Sequence, residues 1–343
     1  MTLGSQKRRI IPTPELSLMP GMNESRPSIL ITGGSGYIGG RLALYFINRG
    51  YPIRVAAFEP SQRQVGNLGG AESVGLDVES NESCRVACQG VHYVVHCAAL
   101  SENECAKDPE AAVSVNTLGT LKLVRAAEQA GVRRFLYFST AHVYGAPLRG
   151  RIDEKTLTRP AHPYASTHRA AEDFVIEAHD RRVLTGIVVR LSNAFGPPVD
   201  RNVNRWNLVV NDLCRQAIVD RRLVLKTSGI QKRDFITLSD VCRGIEHLLS
   251  LDGTRIGEAI FNLGGKETSS IRDMAEKIAG LCELRLGYRP SIQRPLPSPG
   301  ESVEDLDYRI DRIMGTGFVL NGDVDGEISA LLDRCHEWFE KCL

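Results

Sequence analysis

Thr140 and Tyr164 are the residues of this sequence best suited to chemistry. Thr140 follows the apolar run Phe135–Phe138 and Ser139, and Tyr164 stands 24 residues later at the head of a helix-periodic stretch. A phenol held beside a Ser/Thr hydroxyl can take a proton from a substrate hydroxyl and return it, while the second hydroxyl orients the same oxygen. His168 lies four residues after Tyr164, on the same helix face. His142 either points toward that chemistry or packs under Val143-Tyr144-Gly145. Taken singly, each of these residues is more often structural, so the elements that would position them decide the reading.

The first such element is ILITGGSGYI, residues 29–38. Ile29–Ile31 has the length of a buried parallel strand. It breaks into Thr32, Gly33, Gly36 and Gly39, then into a helix carrying Leu42, Leu44, Phe46 and Ile47 that ends near Gly50. Gly33 permits the tight turn, Gly36 a close approach of backbone to a diphosphate, and Gly39 close packing of helix on strand. The backbone amides that open this helix, at Tyr37 and Ile38, face the anion with the positive end of the helix dipole behind them. Strand, glycine turn and helix together indicate a dinucleotide site.

Strands and helices alternate onward. Ile53–Phe58, Ser73–Leu76, Tyr93–Cys97, Phe135–Phe138 and Gly186–Leu191 read as strands; Ser80–Cys88, Ala111–Ala130 and Tyr164–Asp180 read as helices. This is the pattern of an α/β, Rossmann-type doubly wound parallel sheet. Beyond Gly196 the alternation loosens, which predicts a smaller mixed α/β C-terminal substrate region. The expected division is a dinucleotide-binding domain over 28–196 and about 234–264, with a substrate region over about 197–233 and 265–343. Residues 1–27, rich in proline and without an apolar core, read as a disordered leader and not as a signal peptide.

In such sheets ligands lie beyond the carboxyl ends of the strands. That edge gathers the glycine turn, Glu59, Asp77 with Val78, Ala98 and Ala99, Ser139 with Thr140, and Leu191 to Asn193. Asp77 can accept an adenine amino group or merely terminate its strand, and Ala98 and Ala99 leave room for a dinucleotide or simply pack. The acid that would hold a ribose 2′-hydroxyl falls by register near Ala57 or Phe58, neither of which is acidic. Glu59 follows at once and favours NAD, whereas Arg63 is placed to pair with the 2′-phosphate of NADP.

Composition excludes several classes. Lys+Arg 42 against Asp+Glu 41 gives a net charge of +1, so nothing draws the chain to nucleic acid or an anionic membrane. Nine scattered cysteines form no CxxC pair, which argues for reduced thiols in the cytoplasm and against a metal centre or disulfide framework. No apolar run has the length of a membrane helix.

TGGSGYIG (32–39), HCAA (96–99), NTLGT (116–120), STAHVYG (139–145), YASTH (164–168), RLSNAFGP (190–197) and RDFITLSDV (233–241) occur in that order. Over about 28–320 the chain resembles the extended short-chain dehydrogenase/reductases, specifically the NAD-dependent epimerase/dehydratase family acting on nucleotide sugars. The resemblance implies Thr140 and Tyr164 as catalytic residues. It also implies an Asn116 that braces the catalytic region, and Asn193, Arg233 and the segment Asn207-Leu208 around a nucleoside diphosphate sugar. A homodimer through the Ala111–Ala130 and Tyr164–Asp180 helices is implied as well.

Two positions depart from the family pattern. The lysine expected four residues after the tyrosine, which binds the nicotinamide ribose and lowers the phenol pKa, is His168. The Asp-Glu pair that 4,6-dehydratases carry after the threonine is Ala141-His142. The expected activity is therefore a nucleotide-sugar 4-epimerase. A 4-keto-sugar reductase using NAD(P)H, and a cofactor-binding protein weakened by His168, are the alternatives.

Overall fold

The computed structural model describes residues 26–58, 68–203 and 205–339. Glu59, Arg63 and nearly all of the expected leader lie outside the described residues. Seven strands form the central sheet: β1 (Ile29–Thr32), β2 (Ile53–Ala57), β3 (Glu72–Gly75), β4 (Tyr93–His96), β5 (Arg134–Thr140), β7 (Thr185–Leu191) and β11 (Ile260–Leu263). Their spatial order is β11-β7-β5-β4-β1-β2-β3, and every pair is parallel. The order reverses at β1, so the crevice beyond the β1 and β4 carboxyl ends is the switch point where such sheets bind ligands.

Successive residues of β1 enter different cores because strand side chains alternate. Ile29 and Ile31 join Val55, Leu136, Phe138, Ile187 and Val189 on one face, under α1 (Tyr37–Ile47) and α7 (Leu238–Ser250). Leu30 joins Val94, Phe135, Tyr137 and Val188 on the other face. That face is covered by α2 (Asn81–Cys88), α4 (Gly119–Gln129) and α5 (Pro163–Asp180).

The expected helix over 111–130 is more elaborate. A short α-turn, Pro109–Ala112, passes into a π-helical segment, Val113–Leu118, before α4. The wider turn holds Asn116 inward, and such segments are frequent at functional sites. A further helix, α3 (Glu102–Lys107), is fixed by a Ser101/Glu104 capping box; six residues are too few to show a periodicity.

The rest is built from small sheets. β8 (Asn193–Phe195), β10 (Lys232–Thr237) and β12 (Thr268–Ser270) form one; β9 (Arg222–Val224) with β13 (Ser291–Gln293), and β6 (Gly150–Ile152) with β14 (Leu306–Tyr308), form two more. A separate core of Leu213, Cys214, Ile278, Ile328 and Leu331 joins α6 (Val209–Val219), α8 (Ile271–Leu286) and α10 (Val324–Phe339). A last short helix, α9 (Asp311–Gly315), returns Ile313 to the first core. No described helix is long and apolar enough to cross a membrane.

Candidate active site

The glycine turn is built of backbone. Gly33 has φ +62°, and a Cβ there would stand 2.9 Å from the Ala98 nitrogen at the end of β4. At Gly39 a Cβ would collide with the Gly33 carbonyl oxygen, so helix and loop touch only because both residues are glycine. Gly36 is the N-cap of α1; no side chain caps this helix and no acid stands in its first turn. By contrast Ser80, Ser101 and Ser270 cap α2, α3 and α8, each with an acid in its first turn. The opening amides of α1 thus remain available to an anion.

A buried polar chain lies beneath this turn. The Ala98 amide donates to Thr32 Oγ1 at 3.2 Å, and Thr32 Oγ1 lies 2.6 Å from His96 Nδ1. His96 Nε2 lies 3.1 Å from Thr120 Oγ1, which donates to the Asn116 carbonyl at 2.6 Å. Because Thr120 donates onward, it receives the Nε2 proton, and His96 Nδ1 accepts from Thr32. Burial pushes His96 down to about 3, so it is a neutral structural link.

Some expected cofactor residues have committed side chains. The Tyr37 hydroxyl donates to the Gly196 carbonyl at 2.9 Å and receives Asn211 Nδ2 at 3.1 Å, which leaves only its backbone amide facing the turn. Asp77 accepts the Glu79 amide on one oxygen, and Val78 packs on Gly119. Ala98 and Ala99 stand half-buried at the end of β4, and Leu191 is buried at the end of β7. The Ser139 hydroxyl donates to Glu172 Oε1 at 2.5 Å, away from the sheet edge.

That Glu172 anchors a network absent from the sequence reading. Its two oxygens accept Arg190 Nε at 3.0 Å and an Arg190 terminal nitrogen at 2.7 Å, both residues being 3% exposed or less. Arg190 also donates to the Tyr144 hydroxyl at 2.9 Å, which donates to Asn262 Oδ1 at 2.7 Å. Arginine reads carboxylates as a fork, so β5, α5 and β7 are locked together directly behind the site. The signal available in sequence was the i, i+4, i+8 series Tyr164, His168, Glu172 on one helix face.

Proline at the head of α5 and His162 at its N-cap start the helix in time to place Tyr164 in its first turn. Thr140 caps the 3-10 turn Ala141–Tyr144 by accepting the His142 amide at 3.2 Å, and α5 packs against that turn. Tyr164 and His168 meet edge to face, ring centroids 4.4 Å apart. Asn116 braces the same helix: its Nδ2 donates to Thr167 Oγ1 at 3.1 Å and its Oδ1 accepts the Leu100 amide at 2.8 Å.

His168 is 3% exposed. Its Nδ1 lies 2.6 Å from the Tyr137 hydroxyl, and its Nε2 is buried with no hydrogen-bond partner among the described residues. Burial pushes it down to about 4, so at neutral pH it carries no charge. Burial pushes Tyr164 up to about 12; the Arg205 guanidinium opposes that rise, while Cys105 and Glu102 add to it. The cation acting on the phenol is therefore Arg205, which the sequence motifs did not single out.

Arg233 and Asn193 sit on the paired strands β10 and β8, where Asn193 Nδ2 donates to the Asp234 carbonyl at 2.9 Å. His142 is half-buried and lowered, first by burial, with Glu102 opposing and Arg233 reinforcing the shift. Leu208 packs against the Tyr37, Val203 and Leu238 cluster. Asn207 is exposed and lines a separate open cleft of about 490 Å³ with Trp206, Arg215 and Lys226.

Residues 29–264 match the NAD dependent epimerase/dehydratase family. The chain belongs to that family. Among relatives of this epimerase/dehydratase, the UDP-glucose 4-epimerase of Rhizobium leguminosarum bv. trifolii is 28% identical over 276 residues, 79% of this chain and 84% of that protein. The dTDP-D-glucose 4,6-dehydratase of Mus musculus is 30% identical over 207 residues, 57% of this chain and 56% of that protein. The fold is shared with the UDP-glucose 4-epimerase of Thermus thermophilus, solved with NAD, at TM-score 0.76 and 24% identity, covering 91% of this chain and 99% of that one.

NAD is the family's cofactor, and the residues here fit it. The uncapped start of α1 accepts a diphosphate, the glycine cradle leaves no room for a Cβ, and the buried Nε2 of His168 lacks a partner among the described residues.

Proposed function

We propose that this epimerase/dehydratase inverts a nucleoside diphosphate sugar at C4, with a tightly held NAD. The observation that carries the reading is the segment after Thr140. Ala141 is buried and His142 is a lowered, uncharged imidazole, so neither of the two positions supplies a carboxylate for acid-base elimination at C5 and C6. Thr140 and Tyr164 remain, which suffice for oxidation and reduction at a single carbon.

Tyr164 Oη takes the proton of the sugar 4-hydroxyl and returns it in the second half of the cycle. Thr140 Oγ1, already accepting the His142 amide, donates its proton to the same sugar oxygen and fixes its position. The amides of Tyr37 and Ile38 hold the cofactor diphosphate, and Asp77 the adenine. Arg233 binds the sugar-nucleotide diphosphate as a fork, with Asn193 beside it. NAD, when bound, supplies a reversible two-electron oxidation at C4. The substrate lobe is the one built on β8 to β10 and the Leu213–Ile328 core.

The test is to denature the purified protein, identify by mass what it releases, and then supply UDP- and dTDP-hexoses without added nucleotide. Interconversion of C4 epimers is the expected result. Conversion only of 4-keto sugars, and only with added NAD(P)H, would overturn it in favour of a reductase. The neutral state of His168 and the high pKa of Tyr164 favour a second reading, binding without turnover. Release of NAD with no conversion at any pH would establish that one.

A further inference from the structure

We infer that Arg41 is a positioning residue. From the cofactor helix α1 it locks the C-terminal helix α10 and the Gly196-Pro197 joint in place, and so registers the segment that carries Arg205 against the catalytic tyrosine. The inference rests on the roles proposed above for Tyr164 and for the substrate region.

The chain leaves β8 for the substrate region at Gly196 and Pro197, both buried. Buried carbonyls outside regular structure need donors, and here both donors come from one face of α1. The Tyr37 hydroxyl donates to the Gly196 carbonyl at 2.9 Å, and Arg41, four residues on, donates to the Pro197 carbonyl at 3.0 Å. The other terminal nitrogen of Arg41 reaches Glu327 Oε1 at 3.1 Å and Ser239 Oγ at 3.3 Å, and Ser239 donates to the second Glu327 oxygen. The Glu327 side chain is 5% exposed, so this ion pair lies largely out of water. Gly196 has φ +145°, and a Cβ there would collide with the Glu327 carboxylate, so only glycine lets α10 come this close. Helices α1, α7 and α10 thus close on one joint.

The same joint holds the segment 205–208 from two sides. Asn211, fully buried in α6, donates to the Tyr37 hydroxyl at 3.1 Å and to the Arg205 carbonyl at 3.4 Å. Trp206 packs edge to face on α10, its ring centroid 6.2 Å from Trp338 and 5.0 Å from Phe339. One anchor is therefore set by Tyr37 and the other by the grip of Arg41 on Glu327. Between them hangs the guanidinium that acts on the Tyr164 phenol. A pair that merely added stability would have no need to meet the backbone at the entrance of the substrate region; Arg41 binds that backbone and α10 with one fork.

The test uses the full chain and Arg41→Met, which keeps the aliphatic stem and removes the fork. The two tryptophans of the chain are Trp206 and Trp338, so tryptophan fluorescence reports on this joint alone. Acrylamide quenching should rise roughly twofold as the joint opens locally, while NAD affinity by calorimetry stays within a factor of about two. With a nucleotide sugar that the wild type converts, kcat should fall roughly tenfold or more and KM should move less than about threefold, since the parts are present but misplaced. Unchanged quenching and kcat in a folded Arg41→Met would overturn the proposal, as would a loss of NAD affinity as large as the loss of kcat. If the unpaired Glu327 unfolds this variant, Arg41→Met combined with Glu327→Gln removes both charges and must show the same pattern; wild-type quenching in it would overturn the proposal. A wild type that converts no nucleotide sugar sinks the epimerase reading alone. Quenching at constant NAD affinity then decides this inference, a rise supporting it and no rise overturning it.

Discussion

The glycine turn and the inner face of α5 meet at the same sheet edge but work by opposite means. At Gly33–Gly39 the working parts are backbone amides, and the side chains matter by being absent: a Cβ at Gly33 would stand 2.9 Å from the Ala98 nitrogen. On α5 the working parts are polar side chains, at Tyr164, His168 and Glu172, whose state is set by residues of other elements. A backbone device needs only a local sequence. A proton device needs its neighbours, and the neighbours of His168 and Glu172 lie at Tyr137, Ser139 and Arg190.

The largest expected effect separates the two regions outright. Tyr164→Phe removes the proton acceptor and leaves the glycine cradle untouched. Turnover should fall by about 10²–10⁴-fold, while NAD affinity by calorimetry stays within a factor of about two. Substantial residual turnover would sink the assigned role; loss of NAD binding would show that the two regions are not separable.

Glu172→Gln tests the scaffold behind the proton device. It leaves Arg190 charged and buried with half its partner, and removing one member of such a pair is strongly destabilising. Unfolding by urea should show a loss of about 3 kcal/mol. A loss below about 1 kcal/mol would mean that the Tyr144 and Asn262 bonds hold Arg190 unaided.

The sequence carried the sheet and the glycine turn well because both rest on local pattern: apolar runs of strand length, then glycines at fixed spacing. The Asn116 bulge was hidden, since a π-helical segment of six residues is too short to register as a change of apolar period. Tyr137 and Arg190 were hidden for a different reason. Each reads as one residue of a buried strand, and only the packing of β5 and β7 against α5 turns them toward His168 and Glu172. His168 was legible as a departure from lysine. Its neutrality was not, because that follows from burial.

Acid should expose the same contrast in stability. His96 and His168 are held neutral, pushed down by burial to about 3 and about 4. An unfolded histidine takes a proton near 6.5, so between there and pH 4 the unfolded chain binds more protons. Stability is full above pH 6.5 and falls as the pH drops. At pH 5 each histidine should account for about 2 kcal/mol of the loss. Urea midpoints from pH 8 to 5 would measure it, and His168→Gln should recover about half. A flat profile would mean that neither ring is as enclosed as the packing requires.

His168→Lys gives the smallest effect and bears most directly on how the proton device is tuned. The wild-type phenol is pushed up to about 12, and the Arg205 guanidinium is the cation that opposes the rise. Activity limited by phenolate should therefore climb with pH through the neutral range. An ammonium on the same helix face lowers a neighbouring phenol by about one unit or more. The climb should then move about one unit toward acid, a gain of roughly tenfold at any pH below the plateau. If activity falls and the profile does not move, the neutral imidazole itself is the property the site depends on, and Arg205 already sets the charge at Tyr164.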